Sequence, residues 1–450
     1  MNFTLTQEYL DQFSEAVQNK DNNFITTQTT ALHPADISAI LDELETDDCH
    51  YILGLLPEQV RADIISDLDT DVRADFLKTY QPIEVAEILD YTDSDDAADI
   101  LNELPIKMRE EVIAHVEAPQ NVMELLHYDE DCAGGLMAKE FVKANINWTV
   151  VECIEEIRRQ TENVEKIYSI YVVDDNDKLL GRVGIKKLVL NPRNTKIADI
   201  YEPDIIFVYS YQDEEEVASM MQKYDLEAIP VVNVNKKLLG RITVDDILDV
   251  ITEQAEQNLQ TISGISEDVE EDDSVWLLSR ARLPWLLIGM VGGMLGAKFI
   301  GLFEGQLIAV PAMAFFIPLI TATGGNVGIQ SSTLVVQALA DTGGLQESFW
   351  RRLLKSFLVA LINGFVIGVC VLGANILLTG GEITLSLVVA FALFCVVIIA
   401  SIMGTVTPLI LNQFKVNPAV ASGPFITTAN DLLGLAIYFS VAKLLFSLAA

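Results

Sequence analysis

Five long apolar runs, at about 283–303, 311–340, 357–379, 383–411 and 418–448, fill most of the second half of this 450-residue chain. As a helix, each is long enough to cross a hydrocarbon core of roughly 30 Å. Backbone groups at that depth are satisfied only within helices or closed barrels, so these runs predict a polytopic α-helical membrane domain. Arg280 and Arg282 precede the first run, Arg351, Arg352 and Lys355 the third, and Lys415 the fifth. The positive-inside rule then places the N-terminal half in the cytoplasm and, with five spans, the C-terminus outside. The segment MNFTLTQEYLDQF has neither the basic region nor the apolar core of a secretory signal, which agrees with a cytoplasmic soluble half.

Charge is as unevenly distributed as hydropathy. The formal net charge is −36, yet residues 280–450 carry 8 Lys/Arg against 5 Asp/Glu, leaving 21 basic and 60 acidic side chains in residues 1–279. A soluble half with that excess disfavours nucleic acid and anionic lipid and favours cations. The five cysteines form no CxxC pair and are scattered over both halves, so neither a zinc site nor a disulfide framework is supported.

Two internal duplications organise the soluble half. ILDELETDDCHYILGLLPEQVR from Ile40 aligns with ILDYTDSDDAADILNELPIKMR from Ile88 at an offset of 48 residues, with leucine and isoleucine at helical spacing and prolines at helix starts. This predicts an all-α stack of antiparallel helices over residues 1–130. IYVVDDNDKLLGRVGIKKLV from Ile170 aligns with IPVVNVNKKLLGRITVDDIL from Ile229 at an offset of 59. Each copy reads as strand, turn, strand, helix, preceded by an acidic helix, which makes two α/β modules at 131–195 and 196–251. The tandem resembles a pair of CBS domains. A polar, mostly helical linker with a break at Gly264 follows over 252–279 and leads into the membrane domain, 280–450.

Asp431 is the only side chain between Lys415 and Lys443 that carries a charge at neutral pH in water. A carboxylate at that depth costs about 2.5–3.5 kcal/mol on insertion scales, and its default reading is an ion pathway, the alternative being a polar helix contact. On a helix Thr427, Asp431, Gly434 and Tyr438 share one stripe, with Asn430 beside it, while Pro418 and Pro424 free backbone carbonyls nearby. ITATGGNVGIQSST in the second run interrupts an apolar helix with three glycines and seven hydroxyl or amide side chains. Gly324, Gly325 and Gly328 fit close helix packing and pore lining equally, whereas Asn326 and Gln330 predict a wet or interhelical polar face. One carboxylate per chain is a poor cage for Mg²⁺, which gives up its waters reluctantly, so a twofold site with two Asp431 side chains is the better arrangement.

These residues resemble a known family. PAMAFFIPLITATGGNVGIQSST, NPAVASGPFITTAND-LLGLAIYFSVAKLL and the order helical domain, CBS pair, linker helix and five spans are similar to the MgtE magnesium channels. The resemblance implies a homodimer in a bacterial inner or plasma membrane that conducts Mg²⁺ and closes, through a connecting plug helix, when Mg²⁺ binds its soluble half. It places the pore at Asp431, Gly434 and Thr427. It implies regulatory Mg²⁺ ligands at Asp95 and Asp99 in SDDAAD, Asp225 in KYDLEA, and Asp246 and Asp249 in TVDDILD. Glu215 and Glu216, on the acidic helix of the second module, and Glu253 and Glu256, on the linker, are further candidates. Where family members carry acids, this chain has Gln254, Gln257, Asn258 and Asn417, so the sensing sites expected there are either absent or displaced to Glu253, Glu256 or the acidic run Glu267–Asp273. The CBS resemblance also suggests ATP, whose ribose Thr243 and Asp246 would meet.

No Walker motif GxxxxGK[ST] and no histidine or cysteine constellation indicates an enzyme. Two other readings remain open at this point: a proton- or sodium-coupled carrier in which Asp431 exchanges a proton, and a membrane-anchored Mg²⁺ or nucleotide sensor that does not conduct.

Overall fold

The computed structural model describes residues 5–160, 166–267, 269, 273–340, 348–379, 383–421 and 423–449. The chain divides into two units, 1–251 and 252–450.

The first unit begins with ten short helices, α1 to α10 in chain order: Gln7–Gln18, Asn22–Ala31, Pro34–Leu41, Thr46–Leu53, Glu58–Ser66, Thr70–Leu77, Pro82–Leu89, Ser94–Glu103, Ile106–Ile113 and Pro119–Leu125. Proline stands at the first turn of α3 and α7, where its missing N–H costs nothing, and Gln81 and Glu84 close a capping box on α7. The helix starts reveal a shorter repeat than the sequence comparison does. α3, α5, α7 and α9 begin at residues 34, 58, 82 and 106, so the 48-residue duplication is two rounds of a 24-residue helical hairpin. α3 packs on α5, α5 on α7 and α7 on α9. Ile40, Leu41, Ile52, Leu53, Ile64, Ile65, Ile88, Leu89, Ile100 and Leu101 form one buried core along the stack, each side chain contributing about 1.5–3 kcal/mol of burial. Arg73 on α6 reaches Glu103 on α8 at 2.5 Å, both side chains 12% exposed, and ties successive hairpins together.

Two sheets follow. β1 (Val142–Asn145), β2 (Ile170–Val173), β3 (Leu179–Val183) and β4 (Glu202–Pro203) form the first, in that order, while β5 (Val208–Tyr209), β6 (Ala228–Val232) and β7 (Leu238–Thr243) form the second. β1 runs parallel to β2 and β5 parallel to β6, while β2/β3 and β6/β7 are antiparallel hairpins. The 59-residue duplication is preserved in backbone detail. Register shifts fall at Val172/Val173 and Val231/Val232, and the hairpin turns use positive φ at Asp177 (60°) and Lys236 (62°). Helices α11 (Val150–Gln160), α12 (Ile185–Leu190), α13 (Glu214–Tyr224) and α14 (Val244–Ser263) complete the modules. Tyr171, Val173, Leu179, Val232 and Leu238 form a shared core between the two copies.

In the second unit the linker continues α14 to Ser263 and breaks at Gly264, whose φ of +82° favours glycine. Ser266 then bonds Ala281 through both its N–H (3.0 Å) and its hydroxyl (2.8 Å). Of the acidic run Glu267–Asp273, residues 268 and 270–272 lie outside the described residues. Helices α15 (Val275–Gly301), α16 (Glu304–Ala309), α17 (Ile317–Ala340), α18 (Phe349–Thr379), α19 (Ile383–Gln413) and α20 (Pro424–Ala449) follow. Among the described residues, α15 and α17 to α20, with a 3₁₀ turn at Pro311–Phe316 leading into α17, are the five segments apolar and long enough to cross a membrane. The first and third helices start before the apolar runs, and the fifth starts at Pro424, after a 3₁₀ turn at Pro418–Ala421. α19, the most apolar, packs against α17, α18 and α20, while α15 packs on α20.

Candidate functional site

In the soluble unit, α8 starts at Asp93-Ser94-Asp95-Asp96, where the first-turn N–H groups lack helical partners. Glu140, just before β1, supplies one. Its Oε2 accepts from the Ser94 N–H at 3.2 Å and from the Ser94 hydroxyl at 2.8 Å, and Ser94 Oγ accepts from the Lys139 N–H at 2.8 Å. One carboxylate oxygen from each of Asp93, Asp95 and Glu140 lies within 4.8 Å of the others. That is a set of hard oxygen donors of the kind Mg²⁺ takes. Buried Arg241 on β7 brings one positive charge: its Nε donates to the Glu140 carbonyl at 2.6 Å and its guanidinium lies 3.8 Å from Asp93.

Asp95 and the acids around it resist ionisation. Burial, then the charges of Asp96, Asp246, Asp93 and Glu140, hold the Asp95 carboxyl well above the usual range. Asp96 is pushed up to about 7 by burial and by Asp246, Asp93 and Asp99. Asp99 is pushed up to about 6 by burial and Glu130. Asp246 is raised by burial, partly offset by hydrogen bonds from the Thr243 N–H (2.9 Å) and hydroxyl (2.7 Å), which tie the first turn of α14 back to the residue before it. Packing these acids together costs electrostatic energy that a divalent cation removes.

The other candidates fall elsewhere. Asp249 is raised by burial and Asp245, and its charge reaches Asp67 in the turn after α5. Asp225 is exposed and ends α13 in the left-handed conformation (φ 49°). Glu215 and Glu216 are exposed at the opposite end of that 11-residue helix, roughly 15 Å away at 1.5 Å per residue, so they cannot share an ion with Asp225 in one protomer. Glu253 and Glu256 are exposed on α14. Asn417 accepts from the Ala419 N–H at 2.8 Å and starts the 3₁₀ turn before α20.

In the membrane unit, Asp431 on α20 is half-buried and forms neither a hydrogen bond nor an ion pair among the described residues. A β-carbon placed on Gly325 of α17 would lie 3.2 Å from Thr427 Cγ2 and 3.9 Å from Asp431 Oδ1, and one on Gly324 would lie 3.6 Å from the Asn430 carbonyl. The three glycines of α17 are therefore the surface that receives α20. Asn326 and Gln330 are exposed on the protomer. Thr427 is half-buried, its hydroxyl donating to the Gly423 carbonyl at 3.3 Å. Gly434 is buried, with Ile320 and Val396 within 3.7 Å of where its β-carbon would stand, and Tyr438 is buried with its hydroxyl donating to the Met313 carbonyl at 3.0 Å.

Sequence reasoning missed Asp93, Glu140 and Arg241. Arg241 was visible only as the repeated LLGR, and the two copies diverge in role, since Arg182 pairs with Glu202 at 3.2 Å instead. Glu140 carries no spacing signal at all.

The two units define a class: a multi-pass membrane protein with a carboxylate in its last span and a carboxylate cluster in its soluble half. The profile of the MgtE divalent cation transporters matches residues 317–441, that of the MgtE intracellular N domain residues 32–131, and that of the CBS domain residues 133–191 and 197–253. The magnesium transporter MgtE of Thermus thermophilus is 35% identical over 446 residues, covering 96% of this chain and 97% of its own. That of Bacillus subtilis is 32% identical over 421 residues, covering 90% and 93%. A crystal structure of the cytosolic domain of the Mg²⁺ channel MgtE in complex with ATP is similar with a TM-score of 0.51 and 34% identity, over 54% of this chain and 99% of that one. The chain belongs to the MgtE family of magnesium transporters.

Proposed function

We propose that this protein is a homodimeric Mg²⁺ channel for influx down the electrochemical gradient, with Asp431 selecting the cation and Mg²⁺ bound to the soluble half closing the path. The observation that carries the reading is Asp431 itself: a carboxylate in a membrane helix, unpaired among the described residues and set beside a glycine surface that leaves backbone close at hand. Two such carboxylates across a twofold axis would hold a hydrated divalent ion and repel anions. Gly434 and Thr427 flank it, Gly434 through its backbone.

Self-association is supported by apolar side chains at duplicated positions. Ile185 and Val189 on α12 are 46% and 74% exposed, and Val244 and Leu248, 59 residues further on in α14, are 39% and 56% exposed. A second copy covers both pairs at once.

Closure rests on the acidic cluster. With Asp93, Asp95 and Glu140 as ligands and Asp96, Asp99 and Asp246 around them, Mg²⁺ favours the compact arrangement that charge repulsion opposes. Asp225, Asp249, Glu215, Glu216, Glu253 and Glu256 would serve separate ions, including sites completed by the partner copy. Within the second unit the end of the linker helix meets the start of α20: Gly423 packs on the Ile262 carbonyl, and a β-carbon on Gly264 would lie 2.8 Å from Pro424. That contact is a direct route for closure. The ATP complex of the related cytosolic domain suggests nucleotide binding here as well, at Thr243 and Asp246. Five spans and the arginines before the first support a cytoplasmic soluble half and a C-terminus outside.

Purified protein in liposomes tests the reading. Native protein passes Mg²⁺ at low internal Mg²⁺ independently of pH or Na⁺ gradients, and Asp431→Ala does not. Flux driven only by a proton or sodium gradient would make it a coupled carrier.

A further inference from the structure

Asn430, the neighbour of Asp431, is 2% exposed. Among the described residues neither its Oδ1 nor its Nδ2 has a hydrogen-bond partner. The amide fills the notch left by Gly328 on α17, where Nδ2 takes the space a β-carbon would need and Ile426 Cγ2 would stand 2.7 Å from it. The other side of Gly328 is occupied too, since its carbonyl lies against Gly404 on α19 at a position that also admits no β-carbon. At this level three helices are stacked as Gly404, Gly328 and Asn430.

Stability alone does not explain an amide there. Leucine has the same branching and number of side-chain heavy atoms and would leave no buried polar atom unpaired, and the buried polar side chains of α19, Ser386, Ser401 and Thr405, each have a hydrogen-bond partner. Polar groups retained at membrane depth without such a reason mark ion pathways. The next residue, about 100° round the helix and 1.5 Å along it, is Asp431, whose Oδ1 faces Gly325. Two adjacent side chains of α20 thus address two glycines of α17, and the seating of the first fixes the direction of the second.

We propose that Asn430 is the positioning residue of the ion path, seating α20 in the Gly328 notch so that the Asp431 carboxylate is presented over Gly325 in the geometry that distinguishes a hydrated divalent from a monovalent cation. This rests on the reading of Asp431 as the selecting group. Misplacing a recognition group by about 1 Å costs up to about a hundredfold in other sites, so the effect is measurable without loss of the fold.

The test is Mg²⁺ and Na⁺ flux through full-length protein in liposomes for Asn430→Leu, Gly328→Ala and the pair Gly328→Ala with Asn430→Ser, normalised to folded dimer. Asn430→Leu should lower the Mg²⁺ to Na⁺ flux ratio and raise the half-saturating Mg²⁺ by about tenfold. Gly328→Ala should reproduce the loss by evicting the amide, and the shorter serine, which leaves room for the added methyl, should restore at least half of the ratio. A ratio within twofold of native for Asn430→Leu, or failure of the serine to rescue, overturns the proposal. Asp431→Ala, measured alongside, separates the two ideas: if it still conducts Mg²⁺ the selecting group lies elsewhere, and if it is silent while Asn430→Leu is native, only the role of Asn430 falls.

Discussion

The carboxylate of Glu140 accepts two hydrogen bonds from Ser94, at 3.2 Å from the backbone N–H and 2.8 Å from the hydroxyl, and so joins the start of the first CBS module to the first turn of α8. The same side chain is one of three carboxylates that converge within 4.8 Å. One residue therefore holds two parts of the soluble unit together and offers a metal ligand between them.

Glu140→Gln keeps a neutral acceptor for Ser94 and removes the charge. We expect it to raise the internal Mg²⁺ needed for half-closure by several-fold, and the triple change with Asp93→Asn and Asp95→Asn to raise it by at least about tenfold. Mg²⁺ inhibition of flux in liposomes measures this. An unchanged inhibition curve for the triple variant would place closure at other acids.

The acids of this cluster also set a pH dependence. Asp95, Asp96 and Asp99 have folded-state pKa values raised above the ordinary carboxylate value, to about 7 for Asp96 and about 6 for Asp99. The folded state therefore binds more protons than the unfolded chain between about pH 4 and 7. The stability this gives is fully present below the unfolded pKa and is lost as pH rises through the folded values. Without Mg²⁺, the soluble half should melt at a lower temperature at pH 7.5 than at pH 5.5. Added Mg²⁺ should stabilise it more at pH 7.5, because at pH 5.5 protons already occupy Asp96 and Asp99. Scanning calorimetry at both pH values, with and without Mg²⁺, checks the sign, and equal Mg²⁺ stabilisation at both would contradict it.

Most of the architecture was legible in the sequence because it is carried by periodic features. Apolar runs gave the five membrane helices and the LLGR repeats gave the hairpins β2/β3 and β6/β7, whereas the short strands β1, β4 and β5 and the positive φ at Asp177 and Lys236 came only with the structure. The 24-residue period of the helical stack was hidden because only alternate hairpins kept recognisable side chains. The proposed ligand set was less legible for a physical reason. Asp93, Asp95 and Glu140 meet through tertiary packing, and no spacing rule links residues 93 and 140. Conversely Asp225 and Glu215, close in sequence, are held apart by the helix between them.

Val189→Asp with Leu248→Asp places charges on the two duplicated apolar faces. Light scattering of the detergent-solubilised protein should show a shift toward monomer, since a charge buried in such a contact without a partner costs several kcal/mol. A dimer of native strength would locate the contact elsewhere.

Gly264→Val adds a branched side chain at φ +82° and against Pro424. Strain of about 1–3 kcal/mol is expected at such a position. It should act on gating, lowering the Mg²⁺ sensitivity of closure while Mg²⁺ still permeates. If sensitivity is native in a folded variant, the contact between the linker and α20 does not transmit closure.

The central claim joins Asp431 to an ion path that Mg²⁺ closes from the soluble side. Patch-clamp recording of the full-length protein with internal Mg²⁺ stepped from micromolar to millimolar tests it most directly. The account predicts Mg²⁺ currents beyond carrier turnover at the low concentration, suppressed at the high one and absent in Asp431→Ala. Native currents in Asp431→Ala, or no divalent current at any internal Mg²⁺, would contradict it.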